Sequence, residues 1–382
     1  MRIIAGVYIA VALLLNQPAG RAQSANLQGA ITAIDAMASA EFEKDRVGSI
    51  TIGVVAGPRL VWTKSYGLAD MEKKVAATRD SVYRIGSITK QFTALMLLQL
   101  VDEGKVRLSD PVETYFPEIR MVQDRYSHAP PITLVQLATM TSGLAREPAD
   151  LPKYLVGPAA QWEKVLIAAL PHTRYELEPD TQYLYSNIGY AILGAALSRA
   201  AATPYTTWVQ QRTLSPLQMK NTAFEPNAAI ADRLTKGYVV DRNGNVSFDA
   251  PLREHAGRGY KVPNGALYTT IDDLAQFVAF ELGEGPESVL SKKTLEANYG
   301  RVNSSNGNLN SGYGIGFTLT RRGADVFLGH GGSVAGYTAH ASVHRASKTG
   351  VIVLRNAGGG KFEMGTLTFR ALAELAKIRQ TN

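Results

Sequence analysis

Cysteine is absent from all 382 residues. That excludes disulfides, a thiol nucleophile, a thiolate-bound metal and a lipid anchor on cysteine, so stability must come from the packed core. Histidine is sparse. His128, His172, His255, His340 and His344 show no helical metal-ligand spacing, and His340 and His344, on a shared strand face, have no carboxylate nearby in sequence. The longest apolar run falls short of the ~20 residues of a membrane-spanning helix. The formal charge is +7, but Lys and Arg are scattered, without the stripe that nucleic-acid binding requires. Gly358-Gly359-Gly360 lacks the phosphate-loop pattern and reads as a loop.

What is present starts with a leader. Arg2 gives a positive beginning, Ile3 to Leu15 are uncharged and largely apolar, and Gly20-Arg21-Ala22 is a small-x-small site. This reads as a secretory signal peptide over residues 1–22, cut near Ala22, with a retained anchor as the alternative. The expected location is therefore periplasmic or secreted, with membrane contact only during export. Arg2 and Arg21 are the leader's charges, so its removal leaves +5.

The remaining chain is 45% hydrophobic by overall composition, ample for two lobes. Leu27, Ile31, Ile34, Met37 and Phe42 recur at helical spacing over 26–45. Ile50–Val55 and Leu60–Tyr66 flank Gly57-Pro58 and predict an antiparallel hairpin. From residue 108 prolines punctuate short helical pieces, at 133–140, 161–170, 186–201 and 206–212. A helix is expected at 267–282, beginning near Thr270 with Asp272 and Asp273 in its first turn, a polar loop at 304–311, strands at 313–319, 326–329, 337–343 and 350–354, and a closing helix at 362–378. The expected division is one α/β lobe from 23–107 plus 259–382, around an antiparallel sheet, and a mainly helical lobe over 108–258.

The chemistry concentrates in Arg84-Ile85-Gly86-Ser87-Ile88-Thr89-Lys90, which runs into an apolar helix that Gly104 is expected to end. Positions i and i+3 share a helical face, so the lysine amine can reach the serine hydroxyl and take its proton. A helix-capping serine beside a solvated lysine is the alternative reading of this motif alone. Tyr185-Ser186-Asn187 begins another helix: the tyrosine could shuttle a proton if a nearby cation lowers its pKa, and the asparagine could orient an amide. His330-Gly331-Gly332-Ser333 ends a strand, where glycine allows close backbone approach and the Ser333 N–H could join the Ser87 N–H around an oxyanion. Tyr313-Gly314-Ile315-Gly316-Phe317 reads as a structural strand nearby.

Ser-x-x-Lys, Tyr-x-Asn about a hundred residues later and His-x-Gly on a later strand together resemble the penicillin-recognising serine hydrolases, in the branch of class C β-lactamases, D-alanyl-D-alanine carboxypeptidases, D-amino peptidases and esterases. Tyr66–Asp70, Leu137–Leu144, Tyr183–Tyr190 and Gly265–Thr270 carry the same resemblance in order along the chain. It implies a β-lactamase/transpeptidase-like α/β (α+β) fold with the site between two lobes. Ser87 would be the acylated nucleophile, and Lys90 and Tyr185 would share the acid–base work, either of them taking the first proton. Asn187 would bind the acyl-side amide; His330, Gly332 and Ser333 would line the substrate, Ser333 through its N–H. No cofactor or metal is implied. The expected partner is a small-molecule, peptide or ester substrate, peptidoglycan fragments among them.

Lys348-Thr349-Gly350 spells the family's third motif as many β-lactamases carry it, but it lies between two strand runs where a surface turn belongs. With His330-Gly331-Gly332 taken as that motif, histidine replaces the lysine and glycine the threonine that help hold a β-lactam carboxylate. The expectation is slow β-lactam turnover beside clear hydrolysis of esters or D-amino-acid peptides. The alternatives are a class C-like β-lactamase and a slowly deacylating penicillin sensor.

Overall fold

The computed structural model describes residues 18–124, 126, 128–298 and 310–378. Most of the expected leader, residues 1–17, and the polar loop over 304–309 lie outside the described residues.

Helix α1 spans Pro18–Phe42. Strands β1 (Ser49–Ala56) and β2 (Arg59–Asp70) form the expected hairpin, and β3 (Val75–Ala76) adds an edge. The sheet resumes far along the chain with β4 (Ser311–Tyr313), β5 (Thr318–Arg322), β6 (Asp325–Val334), β7 (Tyr337–His344) and β8 (Thr349–Arg355). Its order is β3-β2-β1-β8-β7-β6-β5-β4, antiparallel throughout, so the first hairpin docks on the last strand.

Alternation along the strands supplies both sheet faces with apolar side chains. Ile50, Ile52, Val54, Val351 and Val353 pack under α1 and the C-terminal helix, contributing with Ile34, Ala38 and Leu372 to one core. Ala339, Ala341, Val343, Ile352 and Leu354 face the opposite way, into a larger core. Helix α2 (Thr89–Asp102) lies in that core, buried continuously from Thr89 to Leu100, as its nearly all-round apolar sequence requires. Gly104, in the left-handed region at φ 69°, ends it. Helix α3 (Asn187–Ala200) begins where Ser186 accepts the Gly189 N–H, and packs against α2. Helix α4 (Ile271–Ala279) starts at Thr270, whose hydroxyl caps the Asp273 N–H, and Phe277 stacks on Phe92 with centroids 4.1 Å apart. Helix α5 (Met364–Ala376) closes the described chain.

Three expectations change. The stretch before Thr270 is not helical: Tyr268–Thr269 is extended and pairs with Tyr83–Arg84, a partner far away in sequence, while the helix starts at Thr270 as expected. Residues 313–319 are not one strand. Gly316 has φ 83°, and a Cβ there would lie 2.3 Å from the Ala94 Cβ, so the chain turns tightly over α2 between β4 and β5. The hairpin of Tyr238–Val240 and Val246–Ser247, expected within a helical lobe, instead pairs in parallel through Tyr238–Val240 with Ala357–Gly359 beyond β8.

Candidate active site

Ser87 sits in a single 3-10 turn, Gly86–Ile88, immediately before α2, and its side chain caps no helix N–H. Two glycines bring β6 against this turn. Gly86 has φ 50°, and a Cβ on it would lie 2.8 Å from the Ser333 nitrogen. A Cβ on Gly332 would lie 1.9 Å from the Ile85 carbonyl oxygen and 3.2 Å from the Ser87 nitrogen. The absence of both side chains thus sets the backbones of Ser87 and Ser333 side by side on the wall of one cavity.

Lys90 is fully buried one helical step on. Its Nζ donates to Ser87 Oγ at 3.2 Å, Asn187 Oδ1 at 2.7 Å and the Asn264 carbonyl at 3.1 Å. None of these acceptors is charged. Burial, and then the nearby Lys261, Arg146 and Arg258, hold the amine well below its ordinary pKa, with Glu147 opposing them. A buried amine of this kind favours the neutral form, which can accept a proton.

Burial pushes the Tyr185 hydroxyl above the ordinary phenol range, despite the opposing influence of Ser87 and the field of Arg146. This corrects the expectation that a cation lowers it: desolvation is the larger effect. Asn187 is also more committed than expected. Its Oδ1 accepts from Lys90, and its Nδ2 donates to Glu147 Oε1 at 2.7 Å, leaving one amide N–H for a ligand. His330 is buried; its Nδ1–H donates to the Gly331 carbonyl at 2.5 Å, so its Nε2 accepts from the Tyr313 hydroxyl at 3.0 Å. Burial and the Lys90 charge depress its pKa to about 3. It forms a neutral wall. Gly331 faces His340 across the β6–β7 pair, where a Cβ would come 3.3 Å from the ring. Lys348, by contrast, binds Glu284 and the Leu282 carbonyl, and none of Lys348, Thr349 and Gly350 lines this cavity.

The cavity measures about 590 Å³. Ser87, Tyr185, Asn187, His330, Gly332 and Ser333 all line it, with Lys90 behind Ser87. Several charged residues there escaped the sequence reading. Glu147 accepts from Asn187 Nδ2 and Lys261 Nζ, each at 2.7 Å, and from the Tyr260 hydroxyl. Arg258 pairs with Glu254, which also reaches the buried Arg84. Arg146 lies over the Tyr185 ring, 4.7 Å from its centroid. The only local signal was Thr141-Ser142-Gly143-Leu144, which ends just before Arg146-Glu147. Gly143, at φ 71°, turns the chain there: a Cβ would lie 2.0 Å from the Leu177 carbonyl oxygen.

A Beta-lactamase family model matches residues 34–375. The chain is 31% identical over 339 residues to Beta-lactamase-like protein 2 of Dictyostelium discoideum, covering 85% of this chain and 59% of that protein. It is 25% identical over 325 residues to Protein flp of Staphylococcus aureus strain MW2, covering 85% and 62%. The chain thus spans about six-tenths of the length of these curated relatives. In fold it is similar to an octameric penicillin-binding protein homologue from Pyrococcus abyssi, with TM-score 0.75, 24% identity and coverage of 91% of this chain and 77% of that one. It is likewise similar to a class C beta-lactamase, with TM-score 0.73, 18% identity and coverage of 94% and 98%. The chain belongs to the beta-lactamase family of penicillin-recognising serine hydrolases.

Proposed function

We propose that this protein is an exported serine acyl-hydrolase that works through an acyl-enzyme on Ser87, with esters or D-amino-acid peptides as its preferred acyl donors. One observation carries the reading: a fully buried lysine amine, held well below its ordinary pKa, lies 3.2 Å from the Ser87 hydroxyl. Neutral Lys90 takes the Ser87 proton as Oγ attacks the substrate carbonyl. The Ser87 and Ser333 N–H groups receive the developing oxyanion. The Tyr185 O–H, kept protonated by burial, gives its proton to the leaving group as the carbonyl–leaving-group bond breaks, and Lys90 restores it. Water then attacks the Ser87 ester by the reverse proton route, releasing the acid and free Ser87. Export rests on the leader, Arg2 to Ala22.

The substrate preference follows from the third motif. His330 is neutral and bound to Tyr313, and Gly331 has no hydroxyl, so these two positions offer a β-lactam carboxylate neither charge nor a side-chain donor. The test is side-by-side turnover of an activated aryl ester, a peptide ending in D-alanyl-D-alanine and a chromogenic cephalosporin by the purified protein. The ester or the peptide should be turned over clearly and the cephalosporin slowly. Rapid cephalosporin hydrolysis would overturn the substrate preference, and inertness towards all three would overturn the hydrolase reading.

A further inference from the structure

The cavity beside Ser87 is unevenly charged. Arg146, Arg258 and Lys261 line it, against Glu147 as the one carboxylate among the described lining residues. Glu147 is fully engaged by Lys261, Asn187 and Tyr260. Glu254 holds Arg258 and Arg84. Arg258 Nε is nonetheless buried without a partner. No carboxylate is therefore left for Arg146, and among the described residues its guanidinium makes no ion pair or hydrogen bond. It is exposed on the cavity rim, over the Tyr185 ring. Its N–H groups are therefore free to bond, and a guanidinium fork takes a carboxylate in two parallel hydrogen bonds. An excess of positive charge on a cavity wall also raises the local concentration of anions.

The position of Arg146 says which part of a substrate would meet it. Its backbone carbonyl accepts the Asn187 N–H at 2.9 Å, so it is tied to the start of α3, the wall that carries Tyr185 and Asn187. The opposing β6 wall holds neutral His330 and Gly331. We infer that Arg146 anchors a carboxylate on the acyl part of the substrate, so that the preferred acyl donors are anionic acyl esters or amides. The inference rests on the hydrolase reading above.

Matched activated esters test it: the 4-nitrophenyl hemi-esters of adipate and suberate, each beside its neutral methyl ester. The acid should exceed its methyl ester in kcat/KM by about ten- to a hundredfold at low salt, the scale of a charge-assisted pair. The ratio should fall towards one in Arg146→Gln, stay intermediate in Arg146→Lys, and shrink with added salt in the unmodified protein. A ratio near one for both chain lengths, or one that survives Arg146→Gln, overturns the inference. Intact mass separates the failures. Ser87 adducts without acid preference overturn the anchor alone; no Ser87 adduct from any of the esters overturns the hydrolase reading and the anchor with it.

Discussion

Burying an ammonium group whose contacts are all neutral is costly, and the cost is relieved when the group gives up its proton. Lys90 is in that position, since its three acceptors are a hydroxyl, a carboxamide and a backbone carbonyl. The same burial that depresses the lysine raises Tyr185, so the two groups move in opposite senses, which suits the base and acid roles proposed for them. The competent form of Lys90 is the unprotonated one, so acylation should accelerate with rising pH through its depressed pKa. It should level off below the ordinary lysine range of about 10.4. Rates of Ser87 acylation by a neutral ester across pH would check this. Lys90→Met should cost about a hundred- to ten-thousandfold and abolish that limb. A limb still climbing at the ordinary lysine pKa would contradict the assignment.

Between elements, the decisive contact is backbone on backbone. β6 meets the Ser87 turn because Gly86 and Gly332 have no side chains. Gly332→Ala would place a methyl group 1.9 Å from the Ile85 oxygen, which neither backbone can accommodate without shifting. A shift of about an ångström in the oxyanion donors should lower acylation about a hundredfold and lower the melting temperature as well. Acylation kinetics and calorimetry of that variant would check it, and full activity with unchanged melting would contradict the geometry. Sequence periodicity and caps were sufficient for the elements that are local: the β1–β2 hairpin, α2 ending at Gly104, and α4 starting at Thr270. It was insufficient where a distant partner decides, as when Tyr268–Thr269 leaves the helical pattern to pair with Tyr83–Arg84. Likewise, Ser87, Lys90, Tyr185 and Asn187 stand in short motifs and could be read directly. Glu147, Arg258 and Lys261 could not, because charges scattered along a chain say nothing about which of them the fold will gather.

Across the whole molecule, three histidines are kept neutral by burial. The pKa of His330 falls to about 3, and those of His255 and His340 to about 4. Below their unfolded value of about 6.5 the unfolded chain binds protons that the folded chain does not, so stability rises with pH over this window. Their contribution is complete above about 6.5 and is lost as pH falls, down to about 4 for His255 and His340 and about 3 for His330. The melting temperature should therefore drop steeply between pH 6.5 and 4, and less steeply in His340→Asn; a flat profile would contradict the burial of these rings. The central claim, that this fold presents Ser87 as an acyl acceptor, has a more direct test. Purified protein is mixed with an activated neutral ester, quenched in acid at successive times, weighed intact and mapped by peptide. The account predicts a transient mass increase of one acyl group on the peptide carrying Ser87, absent from Ser87→Ala. An adduct on another residue, or one that persists unchanged in Ser87→Ala, would contradict it.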